Sequence, residues 1–156
     1  MLFRELTAAD RVAVQRWPRY PLEFSALDYA LRENGWLDEP RDSAKTSCFA
    51  IEKSGEIIAF TILSATDTNA AEFRIALRAD KIGQGLGAAI TSLTLEYGFS
   101  QLGLSQIHLI VRKNNVRAHR LYTQMGFIHQ GECFQYCNGK QVLFTMMNMM
   151  TKRRTK

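Results

Sequence analysis

Nowhere in these 156 residues does an apolar run reach the roughly 18 positions that a membrane-spanning helix needs. The opening segment MLFRELTAADRVAV is interrupted by Arg4, Glu5, Asp10 and Arg11, so it lacks the apolar stretch of a secretory leader. A soluble, cytoplasmic protein without a membrane partner is the expectation. Cysteine is scarce: Cys48, Cys133 and Cys137 are an odd number, which reads as reduced thiols rather than a disulfide framework. No linker, low-complexity tract or internal repeat interrupts the chain. One domain over residues 1–150, followed by a basic tail at 151–156, is the expected organisation.

The net charge of +5 suggests nucleic acid until it is divided along the chain. Residues 1–70 hold 8 Lys/Arg against 11 Asp/Glu (8 − 11 = −3), residues 71–150 hold 8 against 4 (8 − 4 = +4), and the tail TKRRTK adds 4. Without its tail the domain is nearly neutral, so nucleic acid is not an expected partner. What remains is polarity, an acidic first half and a basic second half. His129, Cys133 and Cys137 recur every four residues, but FIHQGECFQYCNGKQVLFTMM reads as two strands around an Asn138-Gly139 turn, and no metal site is expected. His108 and His119 stand alone, and no Ser/His/Asp or Cys/His nucleophile set stands out.

The elements follow from period and punctuation. LFREL reads as a strand, and TAADRVAVQRW as a helix opened by Thr7 and Asp10 in capping-box spacing. SALDYALRENG repeats that spacing with Ser25 and Asp28 and carries Gly35 as a stop, which predicts a second short helix. TSCFAIEKSGEIIAFTILSA alternates around Ser54-Gly55 and predicts a β-hairpin. In AEFRIALRA, Phe73, Ile75 and Leu77 fall on one face and Glu72, Arg74, Ala76 and Arg78 on the other. A helix (LGAAITSLTLEYGFSQLG), a strand (SQIHLIVR), a helix closed by Gly126 (NVRAHRLYTQMG) and the final hairpin complete an α/β or α+β domain. Four of the six methionines lie in MMNMM, where gap filling is the expected role.

The stretch KIGQGLGAAI, residues 81–90, asks what must approach its backbone so closely that side chains are absent. A strand, a glycine turn and a helix start make an anion site, because the first helical turn offers unpaired N–H groups and partial positive charge. Close strand–helix packing alone would also explain the glycines. Gly83, Gly85 and Ala88 satisfy the dinucleotide pattern G-x-G-x-x-A as well. The acidic ribose partner of that pattern is missing, since no Asp or Glu lies between Glu96 and Glu132, though Arg112 and Lys113 leave a 2′-phosphate reader open. The Walker pattern is absent.

A second stretch, NNVRAHRLYTQMGF at 114–127, puts Asn115, Ala118 and Tyr122 on one helical side. Together with IGQGLGA about thirty residues earlier, it resembles the GCN5-related N-acetyltransferase (GNAT) family, and the order of elements resembles that family along the whole chain. The resemblance implies a mixed, mostly antiparallel sheet of six to seven strands, about four flanking helices and a splayed central strand pair. It implies an acetyl-CoA-dependent N-acetyltransferase. The backbone of Ile82, Gly83, Gln84, Gly85, Leu86, Gly87 and Ala88 would cradle the diphosphate, and the strand edge at Ala76, Leu77 and Arg78 would pair with the pantetheine arm. Asn115 and Ala118 would contact that arm. Tyr122 would serve the thiol as acid or hydrogen-bond donor, and Glu72 resembles the base some members use. Arg112, Lys113, Arg117 and Arg120 would steer the anionic cofactor. Two positions depart from the family pattern: Ile82 replaces the usual Arg or Gln, with Lys81 beside it, and Ala79 replaces a proline.

The implied acceptor is a primary amine: a small cationic amine, a polyamine or a peptide N-terminus. Glu33, Asp38, Glu39 and Asp42, opposed by Arg41 alone and near Trp17, Tyr20, Phe24 and Trp36, would make an acidic, aromatic acceptor mouth. Two rival readings make different predictions. A non-catalytic acyl-CoA sensor would bind without turnover, and an NAD(P) protein would be stabilised by dinucleotide only. Exposed strands in the C-terminal hairpin make a homodimer a further expectation.

Overall fold

A computed structural model describes residues 1–39, 44–137 and 139–151. Among them lie seven strands: β1 (Leu2–Glu5), β2 (Thr46–Lys53), β3 (Glu56–Asp67), β4 (Ala70–Leu77), β5 (Gln106–Arg112), β6 (Ile128–Cys137) and β7 (Lys140–Met150). Three α-helices, α1 (Ala8–Gln15), α2 (Leu86–Ser100) and α3 (Val116–Met125), and 3₁₀ segments at Leu22–Leu31, Trp36–Asp38 and Ala79–Lys81 complete the order. Hydrogen bonding links the strands as β1-β2-β3-β4-β5-β7-β6. The resulting mixed sheet is mostly antiparallel, and β4 and β5 form a parallel pair within it. The described residues group into two compact units, Met1–Ser64 with Arg74–Thr94, and Ala65–Phe73 with Leu95 onward. None of the described helices is long and apolar enough to cross a membrane.

In the first unit the β2–β3 hairpin forms where the alternation placed it, from Thr46↔Ser64 to Lys53↔Glu56. Ser54 and Gly55 both take positive φ, 55° and 80°, as a tight two-residue hairpin turn requires. Residues 58–63 of β3 are all buried, because the strand is covered on both faces. Phe60 and Ile62 join Val14, Trp17, Tyr20, Leu31, Leu37 and Ala76 in one cluster, and Ile58 and Ala59 join Ile51 and Ile90 in another. The alternation read in β4 holds, with Ile75 and Leu77 against the second cluster. The opposite face is not simply polar, since Ala76 is core.

The Thr7–Asp10 capping box is present, each side chain bonding the other's backbone N–H. Its expected repeat at Ser25 and Asp28 is not. The segment is a 3₁₀ helix that starts at Leu22 after Pro21 without a side-chain cap. Asp28 is recruited from outside the segment: it accepts from Arg32, Arg19 and the buried N–H of Tyr20 at 2.8–3.1 Å. The Arg32 hydrogen bonds hold its carboxyl below the ordinary range. Gly35 is needed for space rather than for a left-handed stop. A Cβ there would sit 2.5–2.7 Å from the carbonyl oxygens of Tyr29, Ala30 and Arg32, and the left-handed residue is Asn34.

In the second unit β5 pairs with β7 from Gln106↔Met150 to Arg112↔Phe144, and β6 pairs with β7 from Ile128↔Asn148 to Cys137↔Lys140. Ile107, Leu109, Val111, Phe127, Phe144 and Met147 supply its buried residues. Gly126 ends α3 in the left-handed conformation, as its sequence position predicted, with φ 107°. Methionines fill the room that glycines leave: Met149 Cε lies 3.6 Å from where a Gly126 Cβ would stand, and Met146 Cε 3.5 Å from that of Gly131. His129, Cys133 and Cys137 lie on β6, where a four-residue step spans roughly 13 Å rather than one helical turn. Asn138 of the expected turn and residues 152–156 of the tail lie outside the described residues.

Candidate acyl-transfer site

The glycine loop belongs to the first unit. β4 ends at Leu77, the 3₁₀ turn Ala79–Lys81 follows, and α2 starts at Leu86. Gly83 and Gly85 have φ of 82° and 77°, a conformation that costs a side chain roughly 1–2 kcal/mol. Gly83, Gln84 and Gly85 are exposed, while Ile82 packs on the first cluster and Leu86 on the second, so the loop is pinned at both ends. The Gln84 side chain folds back to donate to the Asp80 carbonyl at 2.7 Å. Ala88, with Gly87, lies in the first turn of α2, the end of a helix whose N–H groups have no partner within the helix. Lys81 Nζ lies 3.9 Å from Asp80 Oδ2, and the inward Ile82 offers no charge.

At the end of β4 the three residues expected to meet an extended ligand separate. The Arg78 N–H bonds the Ile58 carbonyl on β3 at 2.8 Å, so Leu77, one residue earlier, turns its own peptide groups away from β3. Its carbonyl accepts from the Tyr20 hydroxyl at 2.6 Å. Burial, with the Asp28 charge nearby, raises the Tyr20 pKa, so the phenol stays a donor. Arg78 binds Asp80 and Glu56 with its guanidinium, and Ala76 is packed in the core. Of the three, Leu77 turns its main-chain N–H away from β3 while its carbonyl is held by Tyr20. Arg78 also lines a cleft of about 430 Å³ with Arg4, Asp10, Trp17, Glu52 and Glu56. Its charges are already matched, Arg4 bridging Asp10 and Glu52 at 2.6 and 2.8 Å.

The remaining predicted residues lie in the second unit. Glu72 is half-buried on β4, in register with His108 of β5, whose Nε2 lies 2.8 Å from Thr66 Oγ1. β4 and β5 pair from Ala70↔Gln106 to Glu72↔His108, and both strands run further. Asn115 is the N-cap of α3, its side-chain oxygen accepting from the Ala118 N–H at 3.2 Å. That oxygen is committed to the helix, and the side-chain NH₂ is what Asn115 has to offer a ligand. Tyr122 is 7% exposed, its ring edge-on to Phe127 at 5.5 Å, and its hydroxyl has no hydrogen-bond partner among the described residues. Burial raises its pKa well above that of an ordinary phenol. Of the four basic residues, Arg112 lies over the Phe144 ring and Lys113 pairs with Glu132 at 3.0 Å, while Arg117 and Arg120 are exposed.

Residues 9–127 match the acetyltransferase (GNAT) family. The chain belongs to that family. Both the glycine loop and α3 fall inside the matched span. Among curated GNAT relatives, the spermidine N(1)-acetyltransferase of Escherichia coli (strain K12) is 36% identical over 72 residues, which is 45% of this chain and 39% of that protein. An uncharacterized N-acetyltransferase of Bacillus subtilis (strain 168), YoaA, is 40% identical over 52 residues, 33% of this chain and 29% of that protein. The matched region thus spans well under half of these relatives. A crystal structure of spermidine N-acetyltransferase from Vibrio cholerae in complex with CoA and spermine superposes with a TM-score of 0.75 over 96% of this chain and 94% of that one, at 21% identity. This last likeness is one of GNAT fold.

Of the acids expected at the acceptor mouth, Asp38 and Glu39 have partners within the fold. Asp38 accepts from Gln15 and the Asn34 N–H and lies 3.8 Å from Arg11. Glu39 is bound by Arg74, Trp17 and Tyr20 are buried, and Arg41 and Asp42 lie outside the described residues. Sequence reasoning missed three side chains that matter here, Arg4, Tyr20 as an anchor of Leu77, and Arg74. Among the described residues no three His, Cys, Asp or Glu gather as a metal site.

Proposed function

We propose that this chain transfers an acetyl group from acetyl-CoA to a primary amine, with residues 1–150 acting as one catalytic domain. The observation that carries the reading is the family match over residues 9–127, which spans both motifs. The fit of the loop supports it: two exposed glycines at positive φ ahead of a 15-residue helix suit a diphosphate approaching main-chain amides. Acetyl-CoA would supply an activated thioester carbonyl and a thiolate leaving group. The chain's residues then have separate tasks. Amides of 82–88 hold phosphate oxygens, the end of β4 lies along the extended arm, and Leu77 presents its N–H to the oxyanion. The side-chain NH₂ of Asn115 and the helix surface at Ala118 position the arm.

Glu72, or water that it orders, takes the ammonium proton, so that neutral nitrogen attacks. Attack would form the N–C bond and a tetrahedral oxyanion; its collapse would break the C–S bond, with Tyr122 donating a hydrogen bond to the departing sulfur and the second nitrogen proton passing to the released thiolate or to solvent. Full proton transfer from Tyr122 is uphill, because burial moves its pKa further above that of a thiol. A donor that never ionises still stabilises thiolate. The Escherichia coli relative acts on spermidine by its name, which makes a polyamine the first acceptor to try. A second copy pairing along β6, where Phe134 and Tyr136 are exposed, is the dimer arrangement we propose.

Two measurements test the reading. Acetyl-CoA at 100 times its Kd should stabilise the fold by about 2.7 kcal/mol, and NADPH should not. Thiol release should require both acetyl-CoA and an amine. Stabilisation without thiol release across an amine panel would leave a sensor, and stabilisation by NADPH alone would remove the family assignment of the loop.

A further inference from the structure

Trp36 opens a 3₁₀ turn, Glu39 follows it, and Arg74 stands on β4. The Trp36 ring is fixed edge-on by Phe60, with centroids 6.5 Å apart and planes at 86°. Over its face, 5.2 Å from the centroid, lies the Arg74 guanidinium, and Arg74 Nη1 reaches Glu39 Oε2 at 2.8 Å. The side chains of Arg74 and Glu39 remain 29% and 44% exposed. An aromatic face beside a carboxylate is the chemistry that holds an alkylammonium ion, and here the chain's own guanidinium is seated in it.

We infer that the Trp36–Glu39 corner is a cation subsite for a second, non-reacting ammonium of the acceptor, with Arg74 as its built-in competitor. Arg74 is then a specificity-determining residue. A monocationic amine does not need the corner, whereas a polycationic amine gains from it only by displacing the guanidinium. The chain thereby narrows the advantage of polyamines over monoamines. The inference rests on the amine-acetyltransferase reading for its effect on turnover, but not for its effect on binding.

Spermidine and butylamine are the probes, and wild type, Arg74→Ala, Arg74→Gln and Arg74→Lys the proteins, each first shown to be folded by its melting curve. Titration calorimetry with spermidine alone, without acetyl-CoA, should show about tenfold tighter binding to the Ala and Gln variants. This is the scale of one partly exposed cation–π and ion-pair contact. The Lys variant keeps a competing cation and should retain the wild-type affinity. Adding Trp36→Leu to Arg74→Ala should abolish the gain. In the thiol-release assay the kcat/KM ratio of spermidine to butylamine should rise about tenfold in the Ala and Gln variants. Unchanged or weaker spermidine binding in both folded variants would overturn the inference, whatever the enzyme activity. Absence of thiol release from wild type with every amine would count against the proposed function instead, with the calorimetry still deciding the subsite.

Discussion

Replacing Tyr122 with Phe deletes one hydroxyl and keeps the ring that packs edge-on to Phe127. The two quantities it changes separate cleanly. Among the described residues the fold gives this hydroxyl no partner, so stability should stay within about 0.5 kcal/mol of wild type. Catalysis should not survive as well. A hydrogen bond to a charged group contributes about 1.5–3 kcal/mol, and losing it from the transition state lowers kcat by about 10- to 150-fold. Because burial raises the pKa of this phenol, it remains protonated through the assay range and should add no alkaline limb to the pH–rate profile below about pH 10. The assay is thiol release under saturating acetyl-CoA and amine, with thermal melts of both proteins alongside. A kcat within threefold of wild type would refute the donor role. A melting temperature that falls in step with activity would make Tyr122 a packing residue.

Three further outcomes are expected. Gly85→Ala puts a methyl group into open space at φ 77°, so it should cost roughly 1–2 kcal/mol of stability through the backbone alone; its acetyl-CoA affinity, read by calorimetry, should fall more than tenfold. Tyr20→Phe removes the 2.6 Å bond to the Leu77 carbonyl and should lower stability by about 1 kcal/mol, or roughly 2–4 °C, with a higher KM for acetyl-CoA as the end of β4 loosens. The Arg4 hydrogen bonds hold the Asp10 carboxyl at about 2, below its ordinary 3.8. A depressed carboxylate pKa stabilises the fold above about pH 4, and that contribution, up to about 2 kcal/mol before solvent screening, disappears as pH falls toward 2. Urea melts at pH 2–5 should show it in wild type and not in Asp10→Asn.

Local chemistry was legible in the chain, and long-range recruitment was not. Ser54-Gly55, the Thr7–Asp10 box and Gly126 are decided within four or five residues, and each forms as its neighbours dictate. Ser25 and Asp28 show the same spacing as Thr7 and Asp10, yet Asp28 serves Tyr20 and Arg19, eight and nine residues away, because a buried carboxylate is better satisfied by guanidinium and amide donors than by one helix end. Counting acids between Glu33 and Asp42 could not show that Glu39 meets Arg74 from 35 residues further on. The glycine loop announced its positive-φ backbone. Its neighbour Tyr20, 57 residues before the carbonyl it holds, gave no sequence signal beyond being aromatic. Period-2 reading of β4 located its faces correctly but missed that Ala76 is buried, because alternation reports a face and not what covers it.

The central claim is that this chain moves an acetyl group from coenzyme A to an amine nitrogen. Mass spectrometry of spermidine incubated with acetyl-CoA and the purified protein tests it most directly, with free thiol counted in the same reaction. Mono-acetylated spermidine and thiol should form in equal amounts, both reduced by Tyr122→Phe. Thiol released without an acetylated amine, or an acetylated product formed equally fast without the protein, would contradict it.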